Sequence, residues 1–169
     1  DSYAMGLVGD EIYTEHGKTI TQEQLDKMTR VVAGKLVLLE AEQRSSGGSL
    51  VIDTTRGGVL NALYQEAAPY AFEGVDAEPV EYLSSLGVVH GDGDSLSLDR
   101  PCTLLEAVCF ANRMILALYD QENAGSLGLL WKAEGNGNTL YLLGSIHTDR
   151  GNLYPFHKQL RDIITGVEL

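Results

Sequence analysis

Leu86-Gly87-Val88-Val89-His90-Gly91-Asp92 repeats Met5-Gly6-Leu7-Val8-Gly9-Asp10, with His90 as a one-residue insertion. In each copy a glycine stands between apolar residues, the pattern of a helix that ends on a left-handed cap. A threonine able to open the next helix follows each copy. Thr21 lies 15 residues after Gly6 and Thr103 lies 16 after Gly87, and the same insertion explains the difference. A glycine cap, a Gly-Asp loop and a capped helix therefore occur twice. A third capped helix starts near Thr55-Arg56, without a clear first helix before it. Repetition of this kind predicts an array of small helical units.

The helices around these copies are legible from their apolar spacing. Leu25, Met28, Val32, Leu36 and Leu39 form one face at intervals of 3 or 4 residues, which predicts an amphipathic helix. Thr21 with Gln24 and Thr103 with Glu106 are capping boxes, in which hydroxyl and side-chain carbonyl satisfy orphan N–H groups. Leu60, Leu63, Tyr64, Ala67 and Ala71 predict a second long helix, with Pro69 weakening its last turn. Val80, Leu83 and Leu86 predict a short one ended by Gly87, with Val88 as the apolar contact. Leu104, Val108, Ala111, Ile115 and Leu118 predict a third.

Past residue 126 the period changes. Leu127, Leu129, Trp131 and Ala133 alternate, Gly135-Asn136-Gly137-Asn138 reads as a turn, and Leu140-Tyr141-Leu142-Leu143 resumes a strand. This is a β-hairpin signal, with Trp131 expected as an inward-facing core aromatic. A loop with Pro155 and a helix carrying Leu160, Ile163 and Ile164 follow. Two linkers, 43–49 and 121–126, are rich in Ser, Gly, Gln and Asn. The fold expected is mostly α with a small β part. A helical-repeat bundle over 1–120 precedes a hairpin and C-terminal helix over 127–169, read as part of an incomplete α/β domain.

Composition bounds the function. The chain has 169 residues, 12 Lys and Arg against 24 Asp and Glu, and a net charge of −12. That balance argues against nucleic acid as a partner, since such binding rests on cationic contacts to phosphates. Apolar residues make up 44%, as in a globular domain. No run of about 18 apolar residues exists to span a bilayer. Cys102 and Cys109, read as lying on one helix, stand about 10 Å apart. That is too far for a disulfide, so both are read as small buried side chains. The first residue is Asp1 and the last six read like a strand that has just begun, so both ends are expected to be cut.

The repeated unit resembles the S-layer homology repeat of bacterial surface proteins. That family opens its second helix with a Thr-Arg-Ala-Glu-like tetrad. The corresponding tetrads here are Thr21-Gln22-Glu23-Gln24, Thr55-Arg56-Gly57-Gly58 and Thr103-Leu104-Leu105-Glu106. The resemblance implies anchoring to anionic cell-wall polymers in the cell envelope. Arg56 is the tetrad arginine that remains, and hence the candidate wall-binding residue. A helical scaffold that keeps the repeat without binding is the alternative. Asp92-Gly93-Asp94-Ser95 invites a calcium reading but fails the EF-hand pattern, with Leu96 at position 5 and Thr103 at position 12.

Leu129-Leu130-Trp131-Lys132, the Gly-Asn turn, Tyr141-Leu142-Leu143-Gly144-Ser145-Ile146-His147 and Leu153-Tyr154-Pro155 resemble the start of the TraB/GumN family, which includes TIKI-type metalloproteases. The resemblance implies a secreted or cell-envelope, metal-dependent hydrolase of the peptidase kind, with a peptide substrate. It implies that His147 is a metal ligand or catalytic histidine, supported by Gly144 and Ser145. Family members complete the site with a second Gly-x-x-His and acidic residues further along, so these 169 residues alone are expected to be inactive and to hold no metal tightly. A divalent metal is expected only with the full site. Gly-x-x-His also occurs at Gly87-Val88-Val89-His90, where the helix cap explains it. His16 and His157 are read as surface residues, and Asp149 and Arg150 as solvated loop residues. The hairpin has an open edge, which invites a homodimer through strand pairing.

Overall fold

The computed structural model describes residues 2–45, 50–91, 95–144 and 153–166. Among these residues the order is α1 (Ile12–Glu15), α2 (Gln22–Val37), α3 (Arg56–Ala67), α4 (Pro79–Ser85), α5 (Leu104–Gln121), β1 (Leu129–Gly135), β2 (Asn138–Gly144) and α6 (Lys158–Gly166). The protein is mostly helical with a small two-stranded antiparallel sheet. The loop 92–94 lies outside the described residues, and with it most of the segment weighed for calcium.

Helices α2, α3 and α5 pack on one another and open in the same way. Thr21, Thr55 and Thr103 are their N-caps, accepting from the N–H groups of Gln24, Gly58 and Glu106. At α2 and α5 the return bond from Gln24 or Glu106 completes the capping box. A cap of this kind is worth about 1 kcal/mol. The three entry segments also pair by backbone. Ile20 donates to Cys102 O and Leu104 to Lys18 O, while Cys102 donates to Thr54 O and Arg56 to Arg100 O. The chain before α5 is thereby held between the chains before α2 and α3.

The two glycine caps share one hydrogen-bond pattern. Gly87 N–H donates to Ser84 O and Val88 N–H to Leu83 O, while Gly6 donates to Tyr3 O and Leu7 to Ser2 O. Both glycines have positive φ, +69° and +78°, which a side chain would oppose. Val88 and Leu83 are both fully buried, giving the apolar contact that accompanies such a cap.

The core lies in the helical body. Leu25, Met28, Val32 and Leu36 from α2 meet Val59, Leu60 and Leu63 from α3 and Ala111, Met114, Ile115 and Leu118 from α5. Helix α3 stops at Ala67, earlier than its apolar spacing predicts. Pro69 cannot donate to the ladder, and the chain turns so that Ala71 N–H bonds Glu42 O and Arg44 N–H bonds Pro69 O. Cys102 is buried but precedes α5 instead of lying on it, and Cys109 is half-buried; both are free thiols.

The hairpin pairs in the register Leu129↔Gly144, Trp131↔Leu142 and Gly135↔Asn138. Asn136 and Gly137 turn it with φ of +52° and +80°, as a two-residue hairpin loop requires. Trp131 is not a core residue: it is 55% exposed, and Leu140 and Leu142 are similarly open. A two-stranded sheet has one layer, and among the described residues no second sheet is laid over the face carrying Trp131. The segment after the hairpin is instead tied to the helical body. Lys35, nearly buried, donates to Tyr154 O at 2.7 Å, Arg161 pairs with Asp120, and Leu160 is fully buried. Ile164 is exposed, so the apolar face of α6 is narrower than its sequence implied.

Candidate functional site

Two places carry the residues singled out above. The first is the junction of the three helix N-termini. Arg56 follows the α3 cap directly, which turns its side chain toward the start of α5. It is 4% exposed. Its Nε donates to Leu96 O at 3.0 Å and its guanidinium reaches Glu106 Oε1 and His90 O. The guanidinium also lies over the Phe110 ring, 5.2 Å from its centre, a favourable cation–π placement.

Glu106 is the hub of this junction. It accepts from Arg100 at 2.5 and 2.9 Å, from the Thr103 backbone at 3.0 Å and from the Thr103 hydroxyl at 3.1 Å. The Arg100 guanidinium, followed by the Thr103 bonds, holds its carboxyl down at about 2 against the cost of partial burial. Beside it, burial and the Glu106 charge push the Cys102 thiol up to about 12. That thiol is therefore a packed side chain without nucleophilic character at neutral pH. Arg100 has a side chain 39% exposed. It is the more accessible cation of the pair, and the sequence reading did not single it out. A signal was present, since Arg100-Pro101 leads into the Thr103 tetrad.

The second place is the end of β2. Gly144 is the last residue of the strand, opposite Leu129. A side chain there would crowd its neighbours: a Cβ would stand 3.1 Å from Leu129 Cβ and 3.3 Å from Trp131 Cζ3. The glycine is thus needed for the Trp131 indole to lie across the strand end. Ser145 and His147, together with Asp149 and Arg150, lie outside the described residues. Around Gly144 a cavity of about 190 Å³ is lined by Ser126, Gly128, Leu143, Leu153, Tyr154 and Phe156. This lining is mainly apolar and offers no imidazole or carboxylate. The described part of the place does not by itself fit a divalent metal, which takes about three His, Cys or carboxylate ligands. Among the described residues no group of three or more His, Cys, Asp or Glu side chains is arranged to hold a metal ion.

The other histidines have local roles or face solvent. His157 precedes α6, where its Nδ1 accepts the Gln159 N–H at 3.1 Å and its Nε2 meets Asn123 Oδ1 at 3.2 Å. This is a capping arrangement at the start of α6. His16 and His90 are exposed and serve through their carbonyls, which accept from Leu105 N–H and Arg56. Among the described residues no helix is long and apolar enough to cross a membrane.

No family model, curated protein or solved structure matches the chain.

Proposed function

We propose that the chain joins an S-layer-homology-like helical module, over 1–120, to the start of a TraB/GumN-like metal-dependent hydrolase domain, over 127–169, in a secreted or cell-envelope bacterial protein acting on peptides. The observation that supports it best is the hairpin. Leu129–Lys132 and Tyr141–Gly144 pair across a tight Asn136-Gly137 turn, so the motif strand ends at Gly144, three residues before His147. The strand that leads to it is hydrogen-bonded along its length, a rigid element of the kind on which functional side chains are held. In this reading His147 is the candidate metal ligand or catalytic histidine, with Gly144 and Ser145 as the supporting motif residues. Bound divalent metal on the intact gene product, wild type against His147→Ala, tests the reading, since the site is complete only there. Stoichiometric metal in the wild type and its loss in the variant support it. No metal in either, with helical content retained, removes His147 from that role.

For the helical module, the scaffold reading has a specific observation in its favour over wall binding. The donors of Arg56 are spent on Glu106, Leu96 and His90 inside the protein. A buried, paired guanidinium is poorly placed for an external anionic polymer. Sedimentation with purified cell-wall material decides between the two: a scaffold stays in the supernatant, and a binder pellets and is released by salt.

A further inference from the structure

Residues 121–126 have the composition of a flexible linker. Their backbone is instead tied on both sides. Asn123, at a φ of +49°, turns the chain off the end of α5, and Ala124 N–H returns to Tyr119 O at 2.8 Å. Ala124 then packs against the core. Ser126 N–H donates to Pro155 O at 3.1 Å, and His157 N–H donates back to Ser126 O at 2.9 Å. Beside these bonds Gly125, at a φ of +108°, lies against the backbone of 156–157. A Cβ on it would stand 2.8 Å from His157 N and 2.9 Å from His157 Cα. Neither atom is the end of a side chain that could swing away, so glycine here serves close backbone approach and not flexibility.

The segment that Gly125 meets is held along its length. Tyr154, Pro155 and Phe156 present successive carbonyls, and each has a donor. Lys35 from α2 takes the first, Ser126 the second, and Arg161 Nε the third at 3.1 Å. The Tyr119 hydroxyl donates to Lys35 O at 2.9 Å, which joins α5 to α2 at the same place. Arg161 also pairs with Asp120 in the last turn of α5, and Asn123 Oδ1 meets His157 Nε2 at 3.2 Å. Leu160 is fully buried behind these contacts. The chain thus leaves for the hairpin and returns from it through one seam, 119–126 against 154–161.

We propose that this seam is a clasp that makes the helical body and the hairpin one rigid unit, with Gly125 and Arg161 as the residues that close it. A free tether of this length would let the hairpin swing through a wide range of directions. The clasp instead sets the direction of the hairpin from the helical body. A contact that fixes the helical body then also fixes the strand that ends at Gly144, whether or not the chain is a hydrolase.

Time-resolved emission anisotropy of Trp131, the one tryptophan of the sequence, tests the clasp. In the wild-type chain it is expected to decay with overall tumbling, apart from the sub-nanosecond wobble of an exposed ring. Gly125→Val is expected to add a nanosecond component from a swinging hairpin while helical circular dichroism is retained. Amide exchange in 158–166 is expected to rise about tenfold in the same variant, with α2 and α5 unchanged. Should Gly125→Val fail to fold, Arg161→Gln removes the contacts to Asp120 and Phe156 O without straining the backbone. It is expected to give the same two changes in smaller measure. Gly137→Val is the control. Its φ is +80° and nothing lies within 4 Å of the new Cβ, so it strains the hairpin tip and is expected to leave 158–166 protected. A wild-type hairpin that already swings on the nanosecond scale overturns the proposal. So does a Gly125→Val chain, or an Arg161→Gln chain in its place, with unchanged anisotropy and exchange. Equal loosening of 158–166 by Gly137→Val overturns it too, since α6 would then follow the hairpin and not the seam.

Discussion

Arg56 and Glu106 belong to two different helix-opening tetrads and pair with each other at 2.5 Å. Arg56 stands one residue after the cap of α3, and Glu106 stands three residues after the cap of α5. Each supplies what the other tetrad lacks. Glu106 thus closes its own capping box and neutralises a buried cation from a neighbouring helix.

Replacing one member of this pair is expected to cost more than replacing both. Glu106→Gln leaves Arg56 buried without its counter-charge, and loss of one partner of a buried pair costs about 3–5 kcal/mol. Arg56→Met combined with Glu106→Gln is expected to recover at least about 1 kcal/mol of that loss. Urea unfolding of the two single variants and the double variant measures the difference. Equal losses for Glu106→Gln and the double variant would show that Arg56 is not carried by Glu106.

The same carboxylate sets an acid limit. Its folded value is lowered to about 2 from an ordinary 4.5, so the stabilisation is full above the unfolded value. It is lost as pH falls from about 5 through about 2, when the folded form takes up the proton. After allowance for partial exposure, the loss is about 2 kcal/mol. Thermal unfolding between pH 7 and pH 2.5 should show it. Glu106→Gln should flatten that part of the profile.

Gly87 holds its cap at a φ of +69°, with Val88 N–H bonded to Leu83 O. Gly87→Ala has open space for its methyl group, so the penalty is purely backbone strain, about 1–2 kcal/mol. A loss of unfolding free energy smaller than about 0.3 kcal/mol in urea titration would mean that the cap is not left-handed in solution.

Gly144→Ala is expected to act in the opposite sense to an ordinary strand substitution. Removing a strand glycine normally helps. Here the new Cβ would stand 3.1 Å from Leu129 Cβ, against the usual 4.5–5.5 Å for facing residues. The hairpin should lose about 1 kcal/mol, with altered Trp131 emission and unchanged helical circular dichroism. An unaltered emission spectrum would show that the indole does not lie over Gly144.

Lys35 anchors the segment before α6 by donating to Tyr154 O. Lys35→Met keeps the packed stem and removes the ammonium. Limited proteolysis should then cut within 153–166 faster than in the wild type, while the body around α2, α3 and α5 stays protected.

What the residues settled alone was local. Thr21 with Gln24 and Thr103 with Glu106 form capping boxes, Gly87 makes a left-handed cap, and Asn136-Gly137 turns a hairpin. Each depends on groups within a few positions of one another, so spacing and side-chain chemistry suffice. The short helix α1 escaped because four residues carry no apolar period. Tertiary structure decided the rest. The burial of Arg56, its pairing with Glu106 across 50 positions and the alignment of 18–20, 100–104 and 54–56 arise where distant segments meet. Trp131 shows the same division: its alternation correctly marked a strand, but alternation cannot say whether a second layer covers that strand. Among the described residues no second sheet does, and the residue expected in the core is 55% exposed.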